Sequence, residues 1–110
     1  MAARNLGGVT VILRIWRGQV ATERAAEYAD LVRRTGIAGY RETPGNLDAQ
    51  VALRDLGNGR SEIITLSWWT DLDGIRAFAG TDVEEAKTYP EDDAFLLHRD
   101  RKAEHYEVAG

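Results

Sequence analysis

The stretch "LDAQVALRDLGNGRSEIITLSWW", Leu47 to Trp69, decides the architecture. Two period-2 segments flank Gly57-Asn58-Gly59, a link able to supply the positive φ values of a tight hairpin turn. Working outward, "TDLDGIRAFAG" follows at once. Asp71 is placed to cap a helix on which Leu72, Ile75, Phe78 and Ala79 share a face, and Gly80 ends it. Gly74 inside that helix costs about 1 kcal/mol against Ala, so packing must hold it. On the N-terminal side, "TPGN" (Thr43–Asn46) is turn chemistry.

Further upstream, "VTVILRIW" (Val9–Trp16) is β-branched and nearly continuously apolar, which predicts a strand covered on both faces. A helix is expected from Thr22, its N-cap, to Gly36, its stop. Ala25, Tyr28, Ala29 and Val32 form its apolar stripe, and Arg33 and Arg34 lie in its last turn. Downstream, "TDVEEAKTYPEDDAFLLHRD" is expected to be irregular or in short helical pieces broken at Pro90. "KAEHYEVA" supplies a last strand. The order is βαββαβ, the ferredoxin-like α+β arrangement: an antiparallel sheet with helices on one face. A first strand apolar on both faces then needs a second layer. Another copy of the chain supplies it most simply, so a homodimer is expected.

The 110 residues form one domain, with residues 1–8 a flexible lead. A net charge of −4 argues against a nucleic-acid partner. The basic cluster His98–Lys102, interrupted by Asp100, is expected to be a solvated turn. With no cysteine, disulfides, thiolate metal sites and a cysteine nucleophile are excluded. No dense His/Asp/Glu spacing suggests a metal, and the runs "VEEAK" and "PEDD" are expected to be solvated. No secretory h-region or membrane-length apolar run occurs, so a cytoplasmic protein away from the membrane is the default expectation.

Strand parity separates the two adjacent tryptophans. Trp68 goes with Ile64 and Leu66, toward core or dimer interface. Trp69 goes with Ile63, Thr65 and Ser67, the hydroxyl-bearing face that better suits a pocket. Its other role would be core packing, with the indole N–H on a carbonyl. Arg14 shares a face with Trp16. An arginine in an apolar strand needs a carboxylate, water or an anionic ligand, and a salt bridge is its ordinary explanation. His105 is a candidate general base, or else a half-exposed strand histidine. Tyr89, before Pro90, either bonds a substrate oxygen or anchors an irregular loop to the core.

The residues "ITLSWWTDLDGIRAFAGTDVEEAKTYPED", within a match from about Val9 to Val108, resemble the antibiotic biosynthesis monooxygenase superfamily of dimeric α/β barrels. The family includes cofactor-free oxygenases of phenolic polyketides and heme-degrading enzymes. Trp69 matches the Trp that ends the third strand in the heme-degrading branch. That branch also uses an Asn on the first strand and a His after the second helix. "ILRIW" has no Asn, and Thr88 stands at the His position, so heme degradation is not expected. The resemblance implies a cofactor-independent monooxygenase that deprotonates a small aromatic or enolisable compound, which then reacts with dioxygen in a dry pocket. His105 would be the base and Arg14 would steady negative charge, while Trp69, Trp16 and Tyr89 would shape the substrate pocket. A non-oxidative cyclase or isomerase, or a non-catalytic small-molecule-binding domain, would use the same barrel differently.

Overall fold

In a computed structural model of the chain, the structure describes residues 11–109. The expected flexible lead and the first residues of the expected Val9 strand lie outside them. Strand β1 runs Ile12–Ala21, so it continues through the predicted "RGQV" connection rather than ending at Trp16. The hairpin is as expected: β2 is Asn46–Gly57 and β3 is Arg60–Trp69. Asn58 and Gly59 both carry positive φ, 55° and 76°, as a two-residue I′ turn requires.

The first helical run differs from its predicted end. A 3-10 turn at Thr22–Arg24 leads into α1, Ala25–Val32. A π-helical turn at Arg33–Ile37 then passes into α2, Ala38–Glu42. Gly36 therefore sits inside the helix instead of stopping it, because Ile37 and Tyr40 beyond it are buried and carry the apolar stripe onward. Thr22 does not cap the helix with its side chain; its hydroxyl meets Ser61 Oγ at 2.9 Å.

Helix α3, Leu72–Ala79, begins where Asp71 Oδ1 accepts from the Gly74 N–H at 2.9 Å. Ile75 and Phe78 are buried, whereas Leu72 is 37% exposed and leaves the expected stripe. Gly74 is required by packing. A Cβ there would lie 2.9 Å from the Pro44 carbonyl oxygen and 3.1 Å from Trp69 Cε3. Pro90 starts a 3-10 turn, Pro90–Ala94, rather than breaking one, since its missing N–H is no loss at a first helical position. A short strand absent from the sequence reading follows, β4 at Leu96–Arg99, and β5 is Glu104–Glu107. His98 and Arg99 of the basic cluster are thus strand residues, with the turn beginning only after them.

Among the described residues, five strands form one antiparallel sheet. β1 is flanked on one side by β3 and β2. Its other side holds β4 against Gly18–Val20 and β5 against Ile12–Ile15. The last strand position of the ferredoxin-like order is therefore shared by two short strands in tandem. The core lies between one sheet face (Trp16, Val20, Ile63, Trp69) and the helices, which contribute Tyr28, Val32, Ile37, Tyr40, Ile75 and Phe78. Within the single chain β1 alternates, one face buried and the other half-buried. Arg14, Trp16, Gly18 and Val20 point inward, and Leu13, Ile15 and Arg17 lie half-buried on the opposite face.

Candidate active site

Arg14 is 1% exposed, yet no carboxylate pairs with it among the described residues. A salt bridge within the sheet is therefore not formed among the described residues. Its Nη2 donates to the Glu85 carbonyl at 3.0 Å, its Nη1 donates to the Val83 carbonyl, and its Nε reaches Tyr40 Oη at 3.4 Å. Nη1 also lies 2.9 Å from His105 Nε2. A guanidinium has only donors, so His105 accepts through an unprotonated Nε2 and carries its proton on Nδ1. The sheet enforces this meeting: Arg14 and His105 are register partners on β1 and β5. Burial first, and the Arg14 charge second, push the His105 pKa below its ordinary value.

Arg14 lines a cavity between the sheet and the helical run, together with Trp16, Tyr28, Tyr40, Thr65, Phe78, Tyr89 and Asp92. The cavity is small, with a volume of about 30 Å³. That holds roughly two waters. Thr35 and Gly36, in the π-helical turn, form part of the wall. Lys87 lies at the edge, its ammonium 4.8 Å from the Phe78 ring and 5.7 Å from that of Tyr89.

The predicted site residues separate into three positions. Arg14, Trp16 and Tyr89 line the cavity. His105 touches it only through Arg14, and its own side chain borders an open groove with Glu84 and Lys102. Trp69 is fully buried behind the wall, its ring edge-on to Tyr40 at 5.7 Å, and its indole N–H bonds Ser67 Oγ at 2.8 Å. Trp16 donates its own N–H to the Asp100 carbonyl at 2.9 Å, which fixes the ring against the cavity.

Asp92 was hidden in the sequence. It belongs to the "PEDD" run expected to be solvated, but it is 5% exposed. Oδ1 accepts from Tyr28 Oη at 3.0 Å and Oδ2 from the Tyr89 backbone N–H at 2.7 Å. Burial, followed by the charge of Asp92, drives the Tyr28 pKa far up. Burial also raises that of Tyr89, with the neighbouring Tyr40 next in effect. A proline three residues on from the cavity-edge Lys87, opening a 3-10 turn whose third residue is acidic, is the one local signal that Asp92 turns inward.

No sequence-family model matches the chain, and no curated protein matches it. Solved structures do match its fold. A protein of the antibiotic biosynthesis monooxygenase type from Bacillus cereus aligns over 94% of this chain and 96% of its own, with a TM-score of 0.56 and 17% identity. One from Nitrosomonas europaea aligns over 91% and 89%, with a TM-score of 0.57 and 12% identity. A variant of SnoaB, a cofactor-independent oxygenase from Streptomyces nogalater, aligns over 91% and 92%, with a TM-score of 0.54 and 17% identity. The chain therefore has the ferredoxin-like fold of the antibiotic biosynthesis monooxygenase proteins, along nearly its whole length.

Proposed function

We propose that the protein is a cofactor-independent monooxygenase acting on a small, enolisable or phenolic compound. The observation that carries this reading is a buried guanidinium with no carboxylate partner among the described residues, lining the cavity between the sheet and the helices. Such a cation is costly unless something negative completes it. An enolate or phenolate oxygen would do so through a charge-assisted hydrogen bond, strongest where water is excluded. The likeness of fold to SnoaB supports the choice of dioxygen as co-reactant.

In this reaction the substrate loses a proton, and the carbanion so formed adds dioxygen. One oxygen atom stays on the former methylene carbon as a carbonyl, and the other leaves as water, so no external reductant is needed. Arg14 holds the negative charge, while Trp16 and Tyr89 flank the ring and Trp69 backs Tyr40. His105 fixes the guanidinium through Nε2. For His105 to take the substrate proton itself, Arg14 would have to release that nitrogen. A ring-sized substrate needs more room than two waters, so binding one requires side chains of the cavity wall to move.

The half-buried sheet face supports a homodimer. Leu13, Ile15, Ile64, Leu66 and Trp68 form a contiguous apolar surface, with Arg17, Arg54, Glu62 and Glu104 at its margin. This mixture of charge signs lets the surface complement itself about a two-fold axis.

Oxygen uptake with a panel of anthrone-like and quinol compounds tests the function. Uptake above the uncatalysed rate, with one oxygen atom in the product, is the expected result. Product formed equally well without oxygen would instead indicate a cyclase or isomerase. No product and no uptake across the panel would contradict the enzyme reading.

A further inference from the structure

We infer that Asp92 is the general base of this site, the group that takes the substrate proton. The inference rests on the reading of the cavity as a deprotonating site, and it assigns a role that the sequence did not suggest.

Among the described residues lining the cavity, few can take a proton. Trp16, Val32, Gly36, Phe78 and Ala86 have no basic side-chain atom, Thr35 and Thr65 are alcohols, and Tyr40 is a phenol whose oxygen already accepts from Arg14 Nε. Arg14 and Lys87 carry their protons already. Burial makes the phenols of Tyr28 and Tyr89 poorer acids than usual, so they supply no phenolate to act as a base. The Nε2 lone pair of His105 is occupied by Arg14, and His105 is not in the wall. Asp92 is the one carboxylate there among the described residues, and no arginine, lysine or histidine forms an ion pair with it.

Its two known bonds hold it in place. Tyr28 Oη on Oδ1 and the Tyr89 N–H on Oδ2 each use one of the lone pairs on their oxygen. Each carboxylate oxygen has a second acceptor position. A buried cation and a buried carboxylate thus share one cavity without pairing to each other or to any other charged side chain described. A substrate that gives its proton to one side and its developing oxyanion to the other completes both.

In the step itself the substrate C–H bond breaks and an O–H bond forms on Asp92. The electron pair moves into the substrate, with the charge resting on the oxygen beside Arg14. Asp92 returns that proton to the outer oxygen of the peroxide, then takes the second hydrogen of the same carbon as the O–O bond breaks. The C–H electron pair forms the carbonyl, and Asp92 is regenerated when it gives this proton to the departing hydroxide, which leaves as water.

Asp92 also ties the Pro90–Ala94 turn to α1 through Tyr28, so a purely structural role must be told apart. The probe is anthrone, whose methylene exchanges hydrogen for deuterium when deprotonated. Exchange in deuterated buffer without oxygen is followed by NMR, and oxygen uptake is measured separately, for wild type, Asp92→Asn, Asp92→Glu and Tyr28→Phe. We expect Asp92→Asn to lose 10²-fold or more of the catalysed exchange, in kcat rather than KM. Tyr28→Phe breaks the same tie but keeps the carboxylate, so at a comparable fall in Tm it should lose less of the exchange than Asp92→Asn. If the Asn variant does not fold, Asp92→Glu preserves the charge and moves the oxygens by one methylene. It should then lose more of the exchange than Tyr28→Phe.

Equal loss in Asp92→Asn and Tyr28→Phe, tracking a common fall in Tm, would overturn the proposal. So would wild-type exchange no faster than in buffer, or full exchange in Asp92→Asn. Exchange that depends on Asp92 without oxygen uptake would uphold the base and remove the oxygenase reading. Oxygen uptake that is indifferent to Asp92 would do the reverse.

Discussion

Arg14 and His105 form a pair in which a permanent cation donates to a neutral imidazole. If His105 gains a proton, the hydrogen bond is lost and two positive charges face each other at 2.9 Å. Glu84, the one acidic group acting on His105, offsets this only in part. Because the folded pKa lies below the unfolded value, the unfolded chain binds the proton more readily. The pair's contribution to stability is therefore fully present above about pH 6.5 and is lost as pH falls through the lowered folded value. Urea melts at pH 8 and pH 5.5 should show wild type losing more stability on acidification than His105→Gln. Equal losses would contradict this. In the sequence, strand alternation put Arg14 and Trp16 on one face, but it could not show that β5 sets His105 opposite Arg14. Asp92 was illegible for a related reason. Its burial depends on Tyr28, 64 positions away, while its neighbours Glu91 and Asp93 are exposed.

Local signals carried the elements that the sequence placed well. The Asn58-Gly59 turn and the Asp71 cap act within a few residues, so the hairpin and α3 were readable before any contact was known. Gly36 misled because a glycine is a helix stop only when nothing beyond it needs burying. Ile37 and Tyr40 do, and the chain widens into a π turn to keep them facing inward. β4 was unreadable because the exposed edge of β1 recruits its four residues. The two helical glycines make opposite predictions. Gly74→Ala should destabilise by about 1–3 kcal/mol, since the clash with Pro44 and Trp69 exceeds the helix-propensity gain. Gly36→Ala meets nothing nearer than Val32 Cγ1 at 4.0 Å and should stabilise by about 0.5–1 kcal/mol. Thermal melts of both variants decide this, and a higher Tm for Gly74→Ala would contradict the packing argument.

For the whole molecule, the apolar composition of β1 is a reason to expect a second layer on the sheet, and the chain by itself leaves Leu66 and Trp68 half-exposed. Among the described residues, no helix is long and apolar enough to cross a membrane. If two copies meet through this face, sedimentation equilibrium should give about twice the 12.2 kDa chain mass, and Leu66→Arg should return it to one. A monomer at all concentrations would contradict the dimer. The central claim concerns the other face: a cavity in which Arg14 stabilises a substrate anion that reacts with dioxygen. The most direct measurement is steady-state oxygen uptake with an anthrone-like substrate, comparing wild type with Arg14→Gln, which keeps hydrogen-bond donors and loses the charge. The account predicts catalysed uptake by wild type and a fall of about 10²-fold or more in the variant. Equal rates in the two proteins would contradict it.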